Sequence, residues 1–434
     1  MKFRYSFSVL CLSSLCLWLL LSGSVFAQAP ERKYTVITGS GQSLYRIAIP
    51  PALTLGKMGR KPATMVKVLG NDLELMGLFK VLSPKGFLAN LSAEGMGIKA
   101  QDWINVGAQA VVKSRVTRLG RDMVVEFLLY DVSKGTAPLL KRKYKGRNAR
   151  RLAHRFGNDI VKYFTKRKGI FLTKIVFASG SRKRRRSHVY VMDYDGHGAY
   201  RLSKTGNQNV LPAFSRSGRI AYTSFLWQNP DLYVVSAGGG RAKRISKRAG
   251  LNIGAAWSPG GKIALTMSHV GNSEIFTISS SGEILKRLTN NPGIDASPTW
   301  SPSGGQIAFV SNRGGSAQVY VMSSNGGGAR RLTFAGNYNQ EPSWCPDKNR
   351  PEVAFTGRDG KGNYDIFTIN VKSGALKRLT QGQGSNKSPS WSPDGRLIAF
   401  TSSRGGIWMM NADGLNQRRV YRGGAVTLDW SKSY

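Results

Sequence analysis

An aromatic residue recurs along the second part of the chain at nearly constant spacing. The positions are Phe214, Trp257, Trp300, Trp344, Trp391 and Trp430, separated by 43, 43, 44, 47 and 39 residues. Around them the sequence repeats as a short strand, a tight turn such as Ser301-Pro302-Ser303-Gly304, and a second strand. A period of about 40 to 50 residues with four short strands per repeat is typical of a β-propeller blade.

The number of blades follows from counting each type of strand. Second strands of the type Ile307-Ala308-Phe309 occur six times, and so do third and outer strands. The innermost strand also occurs six times. However, none precedes the first second strand at Ile175, and an additional one follows the last outer strand at residues 426–431. Pairing this last strand with the first blade closes the ring and removes two aggregation-prone edges. We therefore expect a six-bladed propeller closed by the C-terminal strand.

The part of the chain before the repeats has a different character. Residues 1–27 combine Lys2 and Arg4 with an apolar run and a small-residue site at Val25-Phe26-Ala27, which predicts a signal peptide. Residues 28–168 alternate between helical spacing, at 63–76 and 148–166, and strand-like runs at 108–118, 123–132 and 139–144. The sequence thus predicts an α/β N-terminal domain at 28–168 and an all-β propeller at 169–434. No later apolar run is long enough to span a bilayer, so we expect no transmembrane segment in the mature chain.

The chain is strongly basic, with a formal net charge of +41. Such a charge favours anionic partners and makes their binding sensitive to salt. The export signal argues against nucleic acid and favours acidic protein surfaces, lipid phosphates or lipopolysaccharide, although a generally basic proteome is an equal explanation. Basic residues are densest between 141 and 168. That stretch is either a solvated helix face with a charged linker or an anionic contact surface.

The residues needed for catalysis are sparse. After removal of the signal peptide only Cys345 remains, which excludes an intrachain disulfide. The sequence has no Gly-x-Ser-x-Gly motif, and its histidines, at 154, 188, 197 and 269, show neither metal-ligand spacing nor a nucleophile partner. We predict a protein that is not an enzyme and that uses no metal and no cofactor.

The loops of the propeller divide between two faces. One face carries short Gly-containing turns, which we interpret as scaffold. The other, the mouth face, carries the variable loops from second to third strands and from each outer strand to the next inner strand. Polar residues just before the inner strands would surround the channel mouth: Asn209, Asn252, Asp295, Asn339 and Asn386. Arg313 and Arg404 begin loops on the same face, as does the basic run at 182–186. Convergent polar groups at a concave surface indicate a binding site, although asparagine is also a common turn residue.

The repeat Pro-x-Trp-Ser-Pro-x-Gly, followed by Ile-Ala-Phe-x-Ser-x-Arg, Ile-Tyr-x-Met and Arg-Leu-Thr, resembles the TolB family. Its clearest instance runs from Ser388 to Arg404. Peptidase propellers share this repeat. The export signal, the preceding α/β domain and the six blades make the TolB family the more specific match. Together these features cover nearly the whole mature chain.

The resemblance implies a monomeric component of the Tol–Pal system in the periplasm, which supports outer-membrane integrity and envelope constriction at cell division. It implies that a Pal-like peptidoglycan-associated lipoprotein binds at the channel mouth, here at Asn252, Gly254, Asp295 and Ala296. It also implies that a TolA-like inner-membrane protein binds the N-terminal segment, here Arg32, Lys33, Tyr34, Thr35, Val36, Ile37 and Thr38. The chain departs from the family pattern at Leu251, Ala255 and Ala296, and in its high charge. The alternative is a secreted propeller whose basic surface binds an anionic glycan or lipopolysaccharide.

Overall fold

The structure is a computed structural model that describes residues 44–181, 186–204 and 208–432. Its first part combines a β-sheet with helices. The elements are β1 (Tyr45–Ala48), β2 (Leu53–Leu55), α1 (Lys61–Leu75), β3 (Phe79–Val81), α2 (Leu91–Glu94), α3 (Ala100–Asn105), β4 (Ala110–Leu119), β5 (Asp122–Asp131), β6 (Leu140–Gly146) and α4 (Ala149–Thr165). The predicted signal peptide at 1–27, the segment at 32–38 and the basic residues 182–185 lie outside the described ranges.

The two long helices form where the sequence predicts them. In α1 the apolar residues at helical spacing, Met65, Leu69 and Leu73, are buried on one side. In α4 the Asn148 side chain accepts a hydrogen bond from the backbone N–H of Arg151, which caps the helix start. Each predicted boundary is within two residues of the observed one.

The strands of this first part form one sheet with the order β3-β1-β4-β5-β6, and β2 pairs with β4. Helices α1 and α4 pack on one face through a core that includes Phe127 and Phe156, whose rings stack 4.4 Å apart. The other face is covered by a smaller core around Trp103. This confirms an α/β arrangement at the N-terminal side of the chain.

The remaining strands form the propeller. In the described residues they are β7 (Lys174–Ser181), β8 (Arg186–Asp193), β9 (Tyr200–Arg201), β10 (Asn209–Phe214), β11 (Arg219–Trp227), β12 (Asn229–Ser236), β13 (Lys243–Ser246), β14 (Asn252–Trp257), β15 (Ile263–Met267), β16 (Glu274–Ile278), β17 (Ile284–Arg287), β18 (Asp295–Trp300), β19 (Gln306–Ser311), β20 (Gln318–Ser323), β21 (Arg330–Arg331), β22 (Asn339–Trp344), β23 (Glu352–Arg358), β24 (Tyr364–Asn370), β25 (Leu376–Arg378), β26 (Asn386–Trp391), β27 (Leu397–Ser402), β28 (Ile407–Asn411), β29 (Arg418–Tyr421) and β30 (Thr427–Trp430). They pair as six four-stranded sheets, which confirms the predicted six blades.

The ring closes through the C-terminal strand, as predicted. Strand β30 pairs antiparallel with β7, from Thr427 opposite Ala178 to Trp430 opposite Ile175. The Trp430 side chain is fully buried, and its Nε1 donates a hydrogen bond to Thr173 Oγ1 over 2.8 Å. The first blade therefore takes its innermost strand from the end of the chain.

The N-terminal domain docks on the turn face of the propeller. One continuous hydrophobic core contains Phe156 and Phe171 together with Met409 and Trp430 of the blades. At its rim, Arg167 forms an ion pair with Asp347 in a blade turn over 2.8 Å. The sequence identified this face as scaffold and did not predict that it binds the neighbouring domain. Turn formation already accounts for the Gly, Pro, Ser and Asp residues of these turns. The sequence therefore gave no further indication that another domain binds there.

A buried polar cluster lies within this interface. The Asp72 carboxylate on α1 accepts hydrogen bonds from His154 Nδ1 on α4 and from the Tyr194 hydroxyl in the first blade, both over 2.7 Å. Beside it, Arg150 forms an ion pair with Asp195. Burial raises the pKa of Asp72 and raises the pKa of Tyr194, while the hydrogen bonds from His154 and Tyr194 oppose the shift of Asp72. The cluster thus links the two domains through a carboxylate that has no access to water.

None of the helices in the described ranges combines the length and the apolar composition needed to cross a membrane.

The ring closure makes a prediction about stability. Trp430→Ala should lower the free energy of unfolding by about 3–5 kcal/mol, because it removes a buried indole and leaves a cavity. Trp227→Ala, at an exposed position, is the matched control and should change it by about 0.5 kcal/mol or less.

Deleting residues 425–434 should destabilise the whole propeller, measured by urea unfolding and thermal melting. A truncated chain that melts like the full-length protein would contradict the closure.

The interface cluster makes a second prediction. Asp72→Ala should lower the free energy of unfolding by about 2–4 kcal/mol, because two buried donors lose their acceptor. Asp72→Asn keeps an acceptor for Tyr194 and should cost about 1 kcal/mol or less.

The pH dependence of the same variants gives an independent check. A raised pKa means that the folded chain binds this proton more tightly than the unfolded chain does. The contribution of Asp72 to stability therefore falls as the pH rises from the ordinary aspartate range through the raised pKa. Relative to the wild type, Asp72→Asn should gain stability across that range in urea titrations. An unchanged difference between the two proteins would contradict the raised pKa.

Candidate functional site

The inner strands of the blades line a central cavity of about 210 Å³. Five of these strands contain a bulge, where pairing with the second strand shifts in register. The residue at the bulge has a positive φ in each case: Leu211, Gly254, Ser297, Glu341 and Ser388. Proline follows in four of the five strands and Ala255 in the other. Proline, alanine, serine and aromatic side chains line the cavity.

The carboxylates that line the cavity tie neighbouring blades together. Glu341 Oε2 accepts hydrogen bonds from the backbone N–H of Ser388 and from Thr356 Oγ1, both over 2.8 Å. Asp429 Oδ2 accepts from the backbone N–H of Phe214 over 2.8 Å, and its Oδ1 accepts from Ser390 Oγ over 2.9 Å. Asp429 thus connects the closing strand to both neighbouring blades.

The five polar residues expected around the mouth begin their inner strands, but their side chains are at most 3% exposed. They are Asn209, Asn252, Asp295, Asn339 and Asn386. Asn252 is representative: its Nδ2 donates to the carbonyl oxygen of Arg248 over 2.7 Å, and its Oδ1 accepts from Ser246 Oγ over 2.6 Å. In Asn252, Asn339 and Asn386 the side-chain amide donates to a carbonyl oxygen of the loop just before the strand, so these groups fix that loop instead of forming an exposed ring. A role of these positions in partner binding stays a prediction.

Two of the predicted residues meet in an ion pair. Arg313 Nη2 donates to Asp295 Oδ2 over 2.7 Å, and the Arg313 guanidinium lies over the rings of Phe309 and Tyr320. Burial raises the pKa of Asp295, opposed by the hydrogen bond from Ser311 and by the nearby Arg313. This pair therefore stabilises a loop at the mouth.

The remaining predicted residues lie in separate blades. Arg404 stacks on the ring of Trp408, with 3.8 Å from the guanidinium carbon to the ring centroid. Gly254 lines the cavity, and its positive φ of 64° favours glycine. Ala296 is half-buried in β18. Among the predicted positions that the structure describes, Asp295 and Arg313 are joined by an ion pair, and Ala296 follows Asp295 in β18.

Exposed apolar side chains on the mouth face are the feature that the sequence analysis missed. Phe334 is 74% exposed, Trp227 is 63% exposed and Ile294 is 52% exposed. Four further large apolar residues toward the same face are exposed: Leu226, Val270, Tyr338 and Val426. Toward the opposite face, the exposed residues of this class are Leu415 in a turn and Tyr200, Leu285 and Leu376 near the starts of outer strands. A bulky apolar residue inside a Gly- and Asn-rich loop, as in Asn291-Pro292-Gly293-Ile294, was the available signal, since such a loop has no core for it to fill.

Cationic groups accompany this apolar set. The guanidinium of Arg331 lies 5.0 Å from the ring of Phe334, and that of Arg244 lies 5.7 Å from the ring of Trp227. An exposed apolar surface bordered by charged groups is typical of a protein-binding site. The mouth face therefore suits a partner that offers both apolar and acidic groups.

Metal-ligand side chains come together at one place in the described residues, the interface cluster of Asp72, His154 and Asp195, whose ligand atoms lie within 4.8 Å of one another. Both oxygens of Asp72 already accept hydrogen bonds, and Asp195 binds Arg150. The cluster therefore acts as an interdomain hydrogen-bond network.

Comparison with known proteins supports the same architecture in the same order. Residues 34–137 match the TolB amino-terminal domain, and residues 161–361 and 342–433 match the TolB beta propeller domain. A crystal structure of TolB from Acinetobacter baumannii aligns with a TM-score of 0.78 and 26% identity, over 91% of this chain and 98% of that chain.

Curated relatives extend this similarity over part of their length. The Tol-Pal system protein TolB of Anaeromyxobacter dehalogenans is 39% identical over 228 residues, which are 49% of this chain and 50% of that protein. Its counterpart from Geobacter sulfurreducens is 37% identical over 195 residues, or 44% of each chain. The chain thus spans about half the length of the curated relatives it matches. Since the propeller matches alone cover more than half of its residues, the chain belongs to the TolB family.

Proposed function

We propose that this protein is a non-catalytic periplasmic adaptor of the Tol–Pal system. In this proposal the mouth face binds a Pal-like peptidoglycan-associated lipoprotein, and the N-terminal segment at 32–38 binds a TolA-like inner-membrane protein. The adaptor would support outer-membrane integrity and envelope constriction at cell division. The observation that carries the proposal is the set of exposed apolar residues around the mouth, led by Trp227, Ile294 and Phe334.

The physical case rests on how the mouth is built. Ile294 precedes Asp295, whose buried carboxylate binds Arg313, and Trp227 ends strand β11. A preformed surface loses little conformational entropy on binding, so the burial of Trp227 and Phe334 can contribute to affinity. The closed ring beneath them keeps the six blades in a fixed relation.

The positions of the histidines support a non-catalytic role. His154 is engaged with Asp72 in the domain interface, and the ring of His269 lies 4.9 Å from that of Phe276 at the mouth. Burial and nearby arginines lower the pKa of His269, which favours its neutral form.

A second candidate function is binding of an anionic glycan or lipopolysaccharide, favoured by the net charge of +41. Some of the blade arginines, however, are already paired with acidic side chains. Arg244 binds Asp231 over 3.2 Å and Arg287 binds Glu274 over 3.1 Å, each within its own blade. These arginines stabilise blades, and their presence does not require an anionic ligand.

Variants of the mouth face test the first candidate. Trp227→Ala and Phe334→Ala should each weaken binding of the purified soluble domain of a Pal-like lipoprotein by about tenfold, because each removes a large exposed anchor. Leu415→Ala, at an exposed position on the opposite face, is the matched control and should leave the dissociation constant unchanged. Isothermal titration calorimetry at two salt concentrations measures all three. Equal affinity of the three variants and the wild type would contradict the proposed site, and binding that vanishes at high salt would favour the anionic-ligand alternative.

Removal of the N-terminal segment tests the second partner. Deleting residues 32–38 should abolish capture of a TolA-like protein, because the proposed binding residues are lost. It should leave the affinity for the Pal-like domain within about twofold, since the mouth face is intact. Retained TolA capture in a pull-down from envelope extract would show that this partner binds elsewhere.

A further inference from the structure

The basic stretch after residue 140 has no role in the function proposed above. The structure places four of its residues on β6, the last strand of the N-terminal sheet. Among the described strands, β6 pairs with β5 only, in continuous register from Leu129 opposite Leu140 to Met123 opposite Gly146. The stretch is therefore neither a helix face nor a linker at this point but an open sheet edge.

The open edge of β6 offers backbone hydrogen-bonding groups to a further strand. The strand has seven residues, contains no proline and shows no shift in register. Arg142 Nη1 donates to the carbonyl oxygen of Lys141 over 2.9 Å, which places that carbonyl on the open side. In an antiparallel pair the residues with outward-facing groups alternate, so Lys143 and Lys145 face the same way as Lys141. An exposed edge of this kind is a template for strand addition.

Cations border the edge on both sides. Lys141, Lys143 and Lys145 share one face of the sheet at intervals of about 7 Å. Their side chains reach solvent, with 71% of Lys141 and 61% of Lys145 exposed. On the other face, Arg142 forms an ion pair with Asp159 over 3.0 Å, and the Arg155 guanidinium lies 4.5 Å from the Tyr144 ring.

The nearby carboxylates do not balance this charge. Glu126 is shared between Lys141 and Arg115, and Asp122 is shared between Lys145 and Arg147. Within the described residues, Lys143 forms no ion pair. The edge therefore keeps an excess of positive charge at alternate positions of an extended strand.

We infer that the edge of β6 is a docking site for an extended acidic peptide segment of another protein, which adds to the sheet as a further strand. Its backbone would continue the hydrogen-bond ladder, and its acidic side chains at every second residue would lie opposite the lysines. A second copy of this chain is excluded by the same charges, because lysines would face lysines or arginines across the pair. A flat anionic surface such as a lipid headgroup layer would use the charge but not the open backbone edge. The outer strands of the blades are also sheet edges, but they have only two to four residues. They would form fewer backbone hydrogen bonds with an added strand than the seven-residue β6.

The probe is a fluorescent peptide of seven residues that alternates glutamate and valine, titrated against the full mature chain by anisotropy at physiological salt. The triple variant K141E/K143E/K145E should bind it at least about tenfold more weakly than the wild type. The matched control is K348E/K361E/K372E, which makes the same change in charge at exposed loop lysines and should bind within about twofold of the wild type. Equal loss in both triple variants would overturn the proposal, because net charge alone would then explain binding.

Two further measurements separate strand addition from charge attraction. Two peptides are N-methylated at alternate residues, one at the odd positions and the other at the even positions. One of them should lose binding and the other should keep it, because only one set of N–H groups faces β6. A peptide that alternates lysine and valine should be rejected by the wild type and bound by K141E/K143E/K145E, which also shows that this variant is folded. If both N-methylated peptides still bind, the site recognises charge alone, as a surface for a lipid layer would. That result would overturn the strand model.

Discussion

The pairing of β30 with β7 is the contact on which the rest of the molecule depends. It gives the first blade its innermost strand, and through Asp429 it joins the two blades on either side. The same strand brings Trp430 into the core shared with the N-terminal domain. A single strand of four residues therefore closes the ring, lines the channel and contributes to the domain interface. Closure joins residues that are far apart in the sequence, and the buried Trp430 and its hydrogen bonds offset the chain entropy that is lost.

The high positive charge is distributed among three physical roles. In the blades, arginines such as Arg244 and Arg287 pair with buried carboxylates at the start of the third strands. In the domain interface, Arg150 pairs with Asp195 beside the buried Asp72. Along β6, by contrast, the lysines remain largely exposed to solvent. The charge thus has internal structural uses in the propeller and an outward-facing use at the sheet edge, which net charge alone does not reveal.

The sequence predicted those features that depend on local chemistry or on repetition. The six occurrences of each strand type predicted the six blades, and apolar periodicity located α1 and α4 within two residues. The sequence left the use of a position open where one residue type serves two purposes. Asn252 could either bind a ligand or fix a turn, and only its contacts with Arg248 and Ser246 show the second use. Trp227 and Phe334 look like core residues in a list of apolar positions, and only the three-dimensional loops show that they are exposed. No periodic pattern in the sequence predicted that the N-terminal domain docks on the turn face.

The structure also suggests how two distant surfaces share one framework. The mouth face and the N-terminal domain lie at opposite ends of the channel, and β30 extends between them. Thr427 accepts a hydrogen bond from Leu211 at the bulge, while Trp430 contacts Thr173 beside the interface. One strand thus contacts both the bulge that lines the channel and the core that the two domains share.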